Sequence, residues 1–186
     1  MLDWFKNMGK EYPEFWKNYV LQLESPSLRK VAMHIETTGI NPDKDKILSI
    51  GAIAIENNQI LIEKSIEIDM NKTQIIEAKE IIYEEAQAIE SLINFIGNAT
   101  LIGHRIHYDI EILNEYLSKL HCGRIKNNLL DVEVMHGRII DQTSKQFSLE
   151  ELINYYHIKK PEVYSSGNFS YMVALLFLKM RNKLGL

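Results

Sequence analysis

The chain has 186 residues, 46% of them apolar, enough to bury one good core and too few for two full domains. Its 21 basic and 25 acidic residues leave a net charge of −4, which excludes a global field that gathers polyanions, so any nucleic-acid contact must rest on a local patch. A single cysteine, Cys122, excludes an intrachain disulfide, no apolar leader opens the sequence, and no apolar run approaches the roughly 20 residues that span a bilayer; the expectation is a cytoplasmic protein without membrane contact.

Residues 1–29 read as an aromatic-rich arm and linker ahead of a domain over residues 30–186. Trp4, Phe5, Tyr12, Phe15, Trp16 and Tyr19 crowd the arm. Pro13 suits the first turn of a helix running to about Gln22, which puts Phe15, Trp16 and Tyr19 on one face, either packed on the domain or meeting a protein partner. A strand is expected over Lys30–Glu36, then a turn through Gly39, Asn41 and Pro42, a second strand over Ile47–Ile55, and a third over Gln59–Ile68 after Asn57-Asn58. Three strands in series suggest an antiparallel meander. Apolar positions Ala86, Ile89, Leu92, Ile93 and Ile96 predict a helix from about Tyr83, ended by Gly97. Thr100–Gly103 reads as a short buried strand. Helices follow from about Tyr108 to Leu120 with Gly123 as the stop, after an Asp131 cap, after the Ser148–Glu151 capping box, and over Phe169–Lys183. Strands first and strand-helix alternation afterwards predict an α/β fold with helices on a sheet.

Four segments, in order, carry a resemblance. Val31-Ala32-Met33-His34-Ile35-Glu36-Thr37-Thr38-Gly39 looks like an Asp-x-Glu-Thr-Thr-Gly motif at the end of a first strand. Gly103-His104-Arg105-Ile106-His107-Tyr108-Asp109 looks like a strand ending in His-Asn, followed by an aromatic-Asp pair that opens a helix. Leu130-Asp131-Val132 sits where an Asp-Thr pair is found, and Phe147-Ser148-Leu149-Glu150-Glu151-Leu152 matches the helix before a third motif. In these segments the chain resembles the DEDD family of 3′-5′ exonucleases, the family of the proofreading subunit of bacterial replicative polymerases. The resemblance implies a ribonuclease H-like mixed sheet, the meander plus parallel strands, flanked by helices.

It also implies four carboxylates that hold two divalent cations, with a His or Tyr general base in the third motif. On a strand, positions i and i+2 face the same way, so an Asp-x-Glu pair aims both acids into one pocket. Here His34 replaces the first Asp, while Glu36 and Asp109 remain where the second and third acids belong. Registering Leu176-Phe177 on the family's last helix puts Tyr164 at the general base and Phe169 at the fourth acid. Glu162 is the last acidic residue and His157 the last histidine, so no realignment of the final helix restores either group.

Two carboxylates where four are needed disfavour a two-metal exonuclease. His34, Glu36 and Asp109 are the candidate ligands of one ion at most, Mg, Mn or Zn, against a relic pocket that holds none. Thr37, Thr38, Gly39 and His104 are the candidate substrate-binding residues, and the remaining histidines read as surface or packing groups. Three functional readings stay open. One is an inactive module that binds single-stranded nucleic acid, a nucleotide or a protein partner, the last through the N-terminal arm. Another is a residual or altered metal-dependent 3′-5′ exonuclease or phosphodiesterase, and a third is an architectural subunit whose old pocket is filled by Phe169.

Overall fold

The computed structural model describes residues 12–70 and 78–185; Trp4 and Phe5 of the arm lie outside them. Helix α1, Glu14–Gln22, follows Pro13 and turns Trp16 and Tyr19 inward, 3% and 1% exposed. The Tyr19 hydroxyl donates to Asn127 Oδ1 at 2.7 Å and accepts the Lys126 amide at 2.9 Å, which fastens the arm to a loop more than a hundred residues downstream. Burial pushes the Tyr19 phenol up to about 12. These two aromatics of the helix therefore serve the domain's core.

Strands β1 (Lys30–Thr37), β2 (Ile47–Glu56) and β3 (Gln59–Asp69) form the expected antiparallel meander. Asn57 and Asn58 both adopt positive φ, 49° and 65°, the conformation that a two-residue type I′ hairpin requires. Strands β4 (Thr100–Gly103) and β5 (Leu129–Asp131) add in parallel on the other side of β1, giving the order β3-β2-β1-β4-β5. Helices α2 (Ala78–Ile96), α3 (Ile106–Lys119), α4 (Val132–Ile139), α5 (Leu149–Tyr155) and α6 (Ser166–Leu184) complete the α/β fold. Alternation along β1 sends Val31, Met33 and Ile35 into a core with α1, α2 and α3, and Ala32 into a second core with α4, α5 and α6. His34 and Glu36 follow Ala32 onto the α6 face.

Three helices start earlier than apolar spacing indicated: α2 at Ala78, α3 at Ile106 and α6 at Ser166. Apolar periodicity marks the buried part of a helix, whereas capping sets its end. Ser165 caps α6, its Oγ accepting the Asn168 amide at 3.2 Å. Asp131 and the Ser148–Glu151 box cap α4 and α5 as expected. Helix α3 stops at Lys119, with His121 at a φ of 58°; Gly123, the expected stop, lies beyond and leaves room for the Trp16 ring.

The N-terminus of α6 presses on β2 at Gly51, where a Cβ would come within 2.0 Å of the Ser166 carbonyl oxygen. No acidic residue occupies the first turn of α6, and Glu67, opposite Gly51 on β3, brings its carboxylate beside Gly167 instead, complementing the helix dipole. Gly51→Ala is expected to lower stability by about 3 kcal/mol, because the clash is with backbone that no rotamer can clear; the urea midpoint of the variant measures it.

Candidate functional site

At the end of β1, His34 and Glu36 face the first turn of α6. Glu36 Oε2 accepts the Ser49 hydroxyl at 3.0 Å, and Ser166 Oγ donates to Ser49 Oγ at 2.9 Å, so two hydroxyls tie the carboxylate to the first residue of α6. The His34 ring lies 4.9 Å from the Phe169 ring, and Phe169 lies 5.8 Å from Tyr164. The positions assigned by resemblance to the first and fourth carboxylates thus meet as two aromatic rings. Burial pushes the His34 imidazole down to about 4; Glu36 opposes that shift and His104 adds to it. Neutral His34 packs as a ring. Tyr164, at the general-base position, is 64% exposed, and Asn168 is committed to the local loop through Nδ2 donating to the Val163 carbonyl at 2.8 Å.

A cleft of about 200 Å³ opens on the α3 side, lined by Thr37, Gly39, Ile40, His104, Arg105, Tyr108, Asp109 and Ile112. Three of the four candidate substrate-binding residues reach it. Thr38 does not, since its hydroxyl donates to Asp45 Oδ1 at 2.8 Å and accepts the Lys46 amide at 3.0 Å, holding the loop shut on itself. Thr37 Oγ1 likewise donates to the Gly39 carbonyl at 2.6 Å. His104 Nε2 stands 2.7 Å from the Phe147 carbonyl, which can only accept, so Nε2 carries the proton and the ring is fixed.

Asp109 enters the cleft from the first turn of α3. Burial raises its carboxyl well above the ordinary range; the Ile35 amide pulls it down and the Asp131 charge pushes it further up. The metal-free cleft therefore favours the neutral acid. Asp131 itself is structural: Oδ1 accepts the Glu133 amide at 2.8 Å, while Oδ2 accepts the Ile106 amide at 3.1 Å, joining the starts of α4 and α3.

Sequence reasoning passed over Arg105 and Glu133. The Arg105 guanidinium donates Nε to Glu133 Oε2 at 2.8 Å and Nη2 to Glu133 Oε1 at 3.2 Å, and Glu133 Oε1 also accepts the Phe147 amide at 2.6 Å. Burial would raise the Glu133 carboxyl, but these donors outweigh it and hold the acid below its usual value. Arg105 sits at a φ of 52°, where Asn is at ease and a long side chain is not. Its replacement of the family's Asn was the available signal. Ile40 and Tyr108, 78% and 41% exposed, form the apolar rim of the same cleft.

The donor set does not fit a pair of dications. Among the described residues, no three His, Cys, Asp or Glu side chains converge to hold a metal ion, and the set expected for one ion is dispersed. His34 packs on Phe169, Glu36 is engaged with Ser49, and Asp109 lies against the Ile35 amide.

The family model described as Exonuclease matches residues 31–162, and the chain belongs to that family. The match stops before α6. A PolC-type DNA polymerase III of Caldanaerobacter subterraneus subsp. tengcongensis is 26% identical over 164 residues, 83% of this chain and 12% of the relative. The 3′-5′ exonuclease DinG of Bacillus subtilis is 28% identical over 167 residues, 84% of this chain and 18% of that protein. The DNA polymerase III subunit epsilon of Treponema pallidum is 23% identical over 132 residues, 65% of the chain and 61% of the relative. The chain therefore spans only a fraction of the PolC and DinG relatives it matches. E. coli Exonuclease I in complex with a dT13 oligonucleotide superposes with a TM-score of 0.64 at 11% identity, over 86% of this chain and 42% of that one, which establishes the shared exonuclease, ribonuclease H-like fold.

His34 gives this site a pH signature. Its folded pKa of about 4 lies below the ordinary 6.5 of a histidine, so its contribution to stability is complete above pH 6.5 and is lost as pH falls towards 4. Asp109 acts in the opposite direction and is common to both proteins compared. His34→Leu is expected to remove the His34 part: between pH 6.5 and 4, urea melts should show the wild type losing stability relative to the variant.

Proposed function

We propose that this chain is a catalytically silent exonuclease-fold module that binds single-stranded nucleic acid, end first, in the cleft between β1 and α3. The observation that carries the reading is the ring contact between His34 and Phe169 at 4.9 Å, which stands where the resemblance calls for two metal-binding carboxylates. Attack on a phosphodiester requires an activated water and stabilisation of the leaving oxygen. Glu36 is bound to Ser49, Asp109 is biased toward its neutral form, and α6 offers no imidazole or acid, so neither task has a committed group.

Binding makes a smaller demand. The cleft keeps Thr37, Gly39 and His104 beside an apolar rim of Ile40 and Tyr108, and a base can stack on such a rim without any metal. The E. coli Exonuclease I neighbours that hold oligonucleotides support carrying single-stranded DNA over to this chain as the ligand. Any protein contact through the N-terminal arm falls to exposed groups such as Leu21 and Leu28, since Trp16 and Tyr19 are spent on the core. A cytoplasmic setting agrees with the free thiol of Cys122, which burial pushes up to about 12 and keeps unreactive.

A 3′-labelled single strand incubated with saturating Mn or Mg separates this reading from a residual exonuclease. No shortening above a Glu36→Ala control is expected, together with a measurable rise in fluorescence anisotropy of a labelled oligothymidylate. Metal-dependent shortening that Glu36→Ala abolishes establishes the enzyme instead, and absence of any anisotropy change removes the binding role.

A further inference from the structure

We propose that Arg105 is the anion-binding group of the cleft, taking a backbone phosphate of a bound single strand where the family resemblance assigns that work to metal ions. This rests on the reading of the cleft as a single-strand site and goes beyond it by naming the contact and its independence of metal.

The protein carries a net −4, and a phosphate entering the cleft needs a cation there. Arg105 is the one basic side chain among the cleft-lining residues whose charge does not depend on pH in the working range. Glu133 takes Nε and Nη2 in a two-point grip, fixing the plane of the guanidinium. Nη1 has no acceptor among the described residues. An arginine held on one edge by a carboxylate presents its other edge in a set direction, so little side-chain freedom is lost when an oxyanion arrives.

The backbone adds a second, independent observation. Arg105 stands at a φ of 52°, in the left-handed region that a long side chain rarely occupies. Turn chemistry alone favours Asn or Gly there, so arginine at this position carries a cost in local backbone energy, a pattern associated with functional positions.

The other charged groups facing Arg105 do not cancel its role. Glu133 is its orienting partner, and Asp131 is occupied by the Ile106 and Glu133 amides. Ile40 and Tyr108 on the rim supply apolar and aromatic surface for the base that the phosphate carries. A simple carboxylate ligand could use the arginine but would leave that rim idle.

The test is a fluorescence-anisotropy titration of labelled oligothymidylate with the full chain in EDTA, at several salt concentrations. The wild type is expected to bind without metal. Arg105→Asn suits the left-handed backbone and should bind about tenfold more weakly, with the salt slope reduced by about 0.7 for one lost phosphate contact. Because that variant leaves Glu133 unpaired, the double variant Arg105→Gln with Glu133→Gln is measured beside it. It removes both charges together, must melt as a folded protein, and should show the same loss. Wild-type affinity and salt slope in the folded double variant, or wild-type binding that appears only with Mg or Mn, overturn the role of Arg105 while the single-strand reading stands. If the wild type binds no oligonucleotide under any condition, both fall.

Discussion

The close approach of α6 to β2 at Gly51 sets the geometry of everything around His34 and Glu36. With no side chain between them, the Ser166 carbonyl comes within 2.0 Å of where a Cβ would stand, and the first turn of α6 is held against the strand pair β1–β2. Gly51 pairs directly with His34, so the same approach delivers Phe169 onto the His34 ring and Ser166 onto Ser49. Across this junction His34 and Phe169 meet as rings, and hydroxyl hydrogen bonds join Glu36, Ser49 and Ser166.

The electrostatics here follow from burial. Removing water from a histidine and an aspartic acid drives each toward its neutral form, and both shifts have burial as their largest cause. The organised charge of the cleft is the Arg105–Glu133 pair, and Glu133 does three things at once by gripping Arg105, receiving the Phe147 amide and lying 3.9 Å from His104 Nε2. Phe147 in turn accepts from His104 through its carbonyl, so the wall of the cleft and the start of α5 form one hydrogen-bonded unit.

Membership of the exonuclease family goes with a fold whose stability draws on residues other than those that face α6. The core residues Val31, Met33 and Ile35 alternate with Ala32, His34 and Glu36 along one strand. A substitution in the second set faces α6 and does not enter the first set's packing. The family match over residues 31–162 spans the sheet, while Tyr164 and Phe169, which the resemblance sets at the general base and fourth acid, lie beyond it, on the approach to α6 and in its first turn.

The sequence by itself determined the meander, the strand-helix alternation, the caps at Asp131 and Ser148, and the shortage of acids in the last helix. Each of these is local: period-two burial, turn residues and capping side chains act over a few neighbours, and the absence of a residue type needs no coordinates. Tertiary structure alone decided that His34 meets Phe169, 135 positions away, that Thr38 is consumed by its own loop, and that Trp16 and Tyr19 belong to the core. It also decided that Arg105 faces the cleft under the control of Glu133. Those outcomes depend on which surfaces the sheet order and the approach at Gly51 bring together, and spacing along a chain carries no record of that distance.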